Sequence, residues 1–220
     1  MKFLITGAGG QVGQALQKLL PQAHAFAHQE LDISDIDAIR NAVQTTQPDA
    51  IINAAAYTAV DKAEEESEKA DLINHIGAKN LAIATQEQGA MLLHISTDYV
   101  FDGKQTEAYT ETDATCPQQV YGKSKLLGEQ AVLKYCEKSM ILRTAWVFGQ
   151  HGNNFVKTML KLGQTRDYLR IVADQFGAPT EAEDIAKALI IMAKNPHFGI
   201  YHYSGMPYVS WFAFAQHIFQ

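Results

Sequence analysis

The sequence predicts an α/β fold, a doubly wound parallel sheet between layers of helices. Three observations predict it. Apolar runs of strand length alternate with longer segments of helical period, the pattern of consecutive βαβ units. A glycine-rich turn joins the first apolar run to the first helical segment. The 220 residues are 47% hydrophobic and 19% charged, enough apolar matter for one large or two small cores and too little charge for a disordered chain.

Strands are expected at Lys2 to Thr6, which stops on glycine, then at His24 to Ala27, Ala50 to Asn53, Met91 to Ser96, Met140 to Ala145, Arg170 to Val172 and Ile200 to Tyr203. Helices fill the intervals, near Gln11 to Leu20, Ser34 to Thr46, Glu64 to Gln88, Gln119 to Lys138, Asn154 to Gly163, Glu181 to Lys194 and Ser210 to Phe219. Ser34 precedes Ile36, Ile39 and Val43 at helical spacing and, with Asp37, resembles a capping box. Glu64, Glu65 and Glu66 suit a helix start and a solvated face. Asp102 to Pro117 is polar, has no period, and reads as one long loop. An amphipathic pattern through Trp211, Phe214 and Ile218 is still running at Gln220, so the chain is expected to be cut short.

Composition narrows the partners. Eighteen basic and 24 acidic side chains give a net charge of −6 with no basic stretch, which disfavours nucleic acid and anionic membranes. Cys116 and Cys136 stand alone, without a zinc or disulfide pattern, as suits a reducing cytosol. The apolar start ends at Gly7, too soon for a signal peptide or a membrane span. A soluble, cytoplasmic protein with no metal site is expected.

Gly7, Gly10 and Gly13 form GxxGxxG between the first strand and the first helix. Such a turn aims backbone N–H groups and a helix dipole at a pyrophosphate, with Gln11 and Val12 inside it. The second strand ends Phe26-Ala27-His28-Gln29, where neither a carboxylate nor an arginine selects between NAD and NADP. His28 is either a solvated loop residue or a ribose or phosphate contact. Tyr121 and Lys125, at i and i+4 on a helix, share one face, and a nearby ammonium favours the phenolate. Ser96-Thr97 closes the fourth strand, at the edge where parallel sheets bind ligands. Trp146 follows a buried strand as either a core indole or a site residue.

In order, GxxGxxG, Asn53-Ala54-Ala55-Ala56, the strand-end Ser/Thr and YxxxK resemble the extended short-chain dehydrogenase/reductase superfamily. Within it the chain is similar to reductases of dTDP-linked 4-keto-6-deoxyhexoses. That closer likeness rests on Tyr57-Thr58-Ala59-Val60-Asp61-Lys62-Ala63-Glu64, Ser96-Thr97-Asp98-Tyr99-Val100-Phe101, Arg143-Thr144-Ala145-Trp146-Val147 and Asp174-Gln175-Phe176-Gly177-Ala178-Pro179-Thr180. The resemblance implies a Rossmann-like NAD(P)-binding domain over 1–150. Residues 151–220 would then add late sheet elements and part of a small, incomplete C-terminal substrate-binding lobe. It implies NADPH or NADH as cofactor and a nucleotide sugar as substrate. Tyr121 would donate the proton, Lys125 would lower its pKa and hold the nicotinamide ribose, and Thr97 would bond the carbonyl. Asp98 and Trp146 would face the sugar, Asp32-Ile33 would read adenine, and Ala56, Tyr57 and Thr58 would line the cofactor. Some members dimerise through magnesium held by acidic residues. Here Ala15 stands at one such position and Glu183 at another, which speaks against the magnesium link and leaves a homodimer as an expectation of the resemblance alone. The rival readings are an epimerase or dehydratase of the same superfamily, and a non-catalytic regulatory subunit.

Overall fold

A computed structural model describes residues 1–220. β1 (Phe3–Thr6) leads into α1 (Gln11–Leu19), followed by β2 (His24–Phe26), α2 (Ile36–Thr46) and β3 (Ala50–Asn53). A 3-10 turn at Asp61–Glu64 precedes α3 (Ser67–Asp71), a π turn at Leu72–Gly77 and α4 (Ala78–Gln88). β4 (Met91–Thr97) runs into a short 3-10 turn at Asp98–Val100, and the long loop then reaches α5 (Val120–Tyr135). The remainder comprises β5 (Ser139–Thr144), β6 (Val147–Phe148), α6 (Phe155–Gly163), β7 (Phe176–Gly177) and β8 (Thr180–Glu181). Last come α7 (Ala182–Lys194), β9 (Gly199–His202), β10 (Val209–Ser210) and α8 (Trp211–Ile218).

The main sheet is Rossmann-like and all parallel, with strand order β2-β1-β3-β4-β5-β9. The chain winds from β1 outward in both directions, so the C-terminal ends of β1 and β3 frame the crevice where such sheets take ligands. Leu4, Ile51, Leu92 and Ile141 pack one face against Ile39, Val43, Leu81 and Val132 of α2, α4 and α5. Ile5, Ile52, Leu93 and Leu142 pack the other against Leu16, Ile185 and Leu189 of α1 and α7. Burial on both faces is why these strands read as unbroken apolar runs.

Several expectations are corrected. Arg170 to Val172 is not a strand: β9 takes the place beside β5, and the carbonyl of Val172 instead accepts from Phe212 N at 3.0 Å. The capping residue of α2 is Asp35 rather than Ser34, and its carboxylate accepts from the N–H groups of Asp37 and Ala38 at 2.9 and 3.1 Å. The single helix expected over Glu64 to Gln88 is broken into a 3-10 turn, α3, the π turn and α4. Glu64, Glu65 and Glu66 are exposed as expected, and two of them also bond: Glu64 accepts from Val120 N at 2.8 Å and Glu66 from the Tyr57 hydroxyl at 3.1 Å. Glu64 thereby caps α5, whose own N-terminal residue Gln119 supplies no side-chain cap.

Beyond the ends of β4 and β5 the later segments build a small aromatic layer. β7 pairs antiparallel with β10 and β6 parallel with β8. Phe148, Phe155, Trp211 and Phe214 stack there between α6 and α8.

Candidate active site

The glycine turn is set by close backbone approach. Gly7 has φ +71°, and a Cβ there would lie 2.5 Å from the backbone of Ala54 and Ala55 at the end of β3. A Cβ on Gly13 would overlap the carbonyl of Gly7. Gly10 differs: a Cβ would sit 3.3 Å from the Gly7 carbonyl, tight but short of overlap. Gly10, Gln11 and Val12 line a cavity of about 570 Å³, and the first turn of α1 carries no acidic side chain. The bare, positive helix end suits a diphosphate. Gln11 also ties this end of the cavity to the later chain, donating to Val147 O at 3.4 Å and accepting from Asn154 Nδ2 at 2.9 Å.

The same cavity holds Thr97, Tyr121 and Lys125. Two glycines let α5 bring the pair in: a Cβ on Gly122 would overlap the Tyr99 carbonyl, and one on Gly128 the Asn74 carbonyl. Asn74, in the π turn, fixes the neighbouring chain. Its amide accepts from Tyr57 N at 2.9 Å and donates to Tyr57 O at 3.1 Å and to Ser124 Oγ at 3.0 Å.

Lys125 is only 2% exposed and donates from Nζ to Ile95 O at 2.7 Å. Burial pushes its pKa down to about 8, against a smaller opposing pull from Glu129. Tyr121 packs edge-on to Tyr99, with ring centroids 5.5 Å apart. Burial raises the pKa of its phenol, Asp98 and Tyr99 add to the rise, and the Thr97 hydroxyl opposes it. Withdrawal from water thus outweighs the one lowering neighbour, the Thr97 hydroxyl, and the net shift of the phenol is upward. Thr97 Oγ1 accepts from Tyr99 N at 3.2 Å and donates to Asp98 Oδ1 at 3.1 Å. The Asp98 carboxyl opens onto the cavity, yet the surrounding protein raises its pKa too.

Behind the pair lies a buried polar layer. Asn53 Oδ1 accepts from Thr6 Oγ1 at 2.7 Å and from Ala55 N at 3.0 Å, so its amide nitrogen, 2.9 Å from His94 Nδ1, is the donor. The His94 ring consequently carries its proton on Nε2, and burial holds it neutral. Glu129 accepts from Ser96 Oγ and from Nε and Nη2 of Arg143, the latter two at 2.9 and 2.7 Å.

A second cavity of about 540 Å³ adjoins the first, and Asp98, Tyr99, Thr144, Ala145 and Trp146 line both. Trp146 adopts φ +49° and lies parallel to Trp211 at a ring distance of 3.4 Å, with Gly177 leaving room for the indole. Phe176, Tyr208 and the stacked pair Phe101 and Tyr109 extend the aromatic wall. Gln175 to Ala178, from the Asp174 to Thr180 motif, belong to this wall as well.

Of the residues singled out in the sequence, Gly10, Gln11, Val12, Ala56, Thr58, Thr97, Asp98, Tyr121, Lys125 and Trp146 line the first cavity. Gly7 and Gly13 shape it from behind. Tyr57 does not line it; its ring is buried beside Tyr121. Nor do His28, Asp32 and Ile33. His28 is exposed, Asp32 accepts from Ser34 N and Oγ at 2.9 and 2.8 Å, and Ile33 is in the core. Sequence reasoning gave no role to Asn74 and His94, isolated residues without periodicity or motif, nor to Gly122 and Thr144, which stand inside the YxxxK and Arg143 to Val147 segments.

The bare helix end, the glycine cradle and the Tyr121–Lys125 pair in one cavity fit a dinucleotide. The family model described as RmlD substrate binding domain matches residues 1–220. A dTDP-4-dehydrorhamnose reductase of Aggregatibacter actinomycetemcomitans is 48% identical over 229 residues, covering 99% of this chain and 78% of that protein. The crystal structure of dTDP-4-dehydrorhamnose reductase from Bacillus anthracis in complex with NADP has TM-score 0.95 and 44% identity, covering 99% of this chain and 79% of that one. The crystal structure of a dTDP-4-dehydrorhamnose reductase from Clostridium acetobutylicum has TM-score 0.97 and 45% identity, covering 100% of this chain and 79% of that one.

Proposed function

Because the chain belongs to the family of RmlD substrate binding domains, we propose that it reduces the C4 ketone of dTDP-4-dehydrorhamnose to give dTDP-L-rhamnose, with NADPH or NADH. The observation that carries this reading is the shared wall of two cavities. One has the glycine turn at its end, the other is aromatic, and Thr97, Tyr121 and Lys125 stand where they meet. Reduced nicotinamide, when bound, supplies a hydride. Tyr121 gives its proton to the carbonyl oxygen as C4 is reduced, so one hydride and one proton make the new alcohol. A phenol kept protonated by burial is ready for that step, because the alkoxide forming at C4 is far more basic than a phenolate. Lys125 spends one N–H on Ile95 O, leaving two for a ribose and a positive charge beside the developing phenolate. Thr97 orients the carbonyl, Asp98 and Trp146 face the sugar, and Ala56 and Thr58 flank the cofactor.

This reading assigns the adenosine end to His28, Asp32 and Ile33, which do not line the first cavity. Cytoplasmic location and a homodimer belong to it as well; no helix is long and apolar enough to cross a membrane. A shared magnesium does not fit, since Ala15 is buried against α7 and Glu183 is paired with Lys18 at 3.0 Å and Lys187 at 3.5 Å.

Tyr121→Phe tests the assignment. It removes the transferable proton and leaves the ring, so kcat should fall about 10²-fold or more with NADPH affinity unchanged. Turnover equal to wild type would dismiss Tyr121 as the acid. Retained NAD with no net NAD(P)H consumption would point to the epimerase or dehydratase instead.

A further inference from the structure

Two buried polar side-chain atoms have no hydrogen-bond partner, His94 Nε2 and Thr144 Oγ1. Of the residues that carry them, Thr144 alone lines the cavities, and it lines both. Thr144 is 6% exposed, so its idle hydroxyl bears a desolvation cost that no protein group offsets. It is the last residue of β5, and its register partner is Thr97.

The alternation of the strands fixes its side. Met140 and Leu142 point into the core shared with α1 and α7, and Thr144 continues that series, as Thr97 continues Leu93 and Ile95 on β4. Thr144 therefore stands on the face from which α1 and its glycine turn address the cavity. Tyr121 and Lys125 reach it from α5, on the opposite face. A nicotinamide ring with its ribose held by Lys125 has one polar edge, the carboxamide, with a donor and an acceptor. A threonine hydroxyl is also both donor and acceptor, and rotation about χ1 swings it between staggered positions.

We infer that Thr144 is a further cofactor-binding residue, its hydroxyl bonding the carboxamide of the nicotinamide where the two cavities join. This rests on the NAD(P)H reading given above. Its effect is to fix the rotation of the ring about its glycosidic bond, and hence which face of the hydride-bearing carbon is turned to the keto-sugar side of the shared wall.

The test uses the full chain, Thr144→Val, which keeps the shape and removes the hydroxyl, and Thr144→Ser, which keeps the hydroxyl. Calorimetry would measure NADPH and 2′-phospho-ADP-ribose, the same ligand without nicotinamide. Thr144→Val should raise the Kd for NADPH about 5- to 10-fold and leave that for the fragment unchanged, while Thr144→Ser stays near wild type for both. Equal losses for the two ligands would mean a structural role and overturn the inference. So would an unchanged NADPH Kd, and if that came with a raised KM for the keto-sugar the hydroxyl would belong to the substrate. Failure of the wild-type chain to bind NADPH at all would fell the cofactor reading itself, and the inference with it.

Discussion

Burial acts on Tyr121 and Lys125 in opposite senses, because it penalises the charged form of each: the anion of one and the cation of the other. The phenol keeps its proton throughout the neutral range, but the ammonium, with a pKa of about 8, has little margin. If the charge on Lys125 is needed, kcat/KM should fall as pH rises through about 8 and the charged form is lost. Arginine stays charged to far higher pH, so Lys125→Arg should move the alkaline limb upward even at a reduced rate. Parallel pH–rate profiles would decide it, and a limb unmoved in the variant would belong to another group. The Tyr-Lys pair was legible because i and i+4 share a helix face whatever surrounds them. The direction of the phenol shift was not, since it depends on what else packs against the ring. His94 and Thr144 were illegible for a related reason: a single polar residue in an apolar strand looks the same whether or not it finds a partner.

At the level of elements, each strand-to-helix joint works through what the backbone can approach. The glycines of the first turn divide into two kinds, which GxxGxxG by itself does not reveal. Gly13→Ala would force Cβ into the Gly7 carbonyl and should cost about 1 to 3 kcal/mol of stability, read as a lower denaturant midpoint. Gly10→Ala makes a tight contact without overlap, Gly7 O being 3.3 Å away, and adds a methyl group to a turn that phosphate would approach, so NADPH affinity should drop by more than the midpoint does. If Gly10→Ala bound normally, the turn would serve packing alone. Most strands and helices were legible from their apolar runs and periods. The segment before β4 was not, because a π turn leaves the polar and apolar spacing nearly unaltered, and the cap on α5 comes from Glu64, 56 residues away.

For the molecule as a whole, the order of strands places the ends of β1, β3, β4 and β5 along one edge, and function gathers there. The sheet followed from the βαβ rhythm, but the joining of the two cavities did not. It needs residues 97–99 beside residues 144–146, a neighbourhood created by the pairing of β4 with β5. The tryptophan pair has an optical consequence. Trp146 and Trp211 are the two tryptophans of the chain, and both lie in one stack on the cavity wall. All indole emission therefore issues from a single spot, with the two rings coupled as one chromophore. Reduced nicotinamide absorbs where indole emits, so titrating NADPH should quench that emission by energy transfer, with half the quench reached at the calorimetric Kd. Emission indifferent to NADPH would place the nicotinamide far from the stack. Unfolding should abolish the coupled near-ultraviolet dichroism of the pair in one step, as α8 parts from the end of β5, so the protein carries its own reporter of both occupancy and assembly.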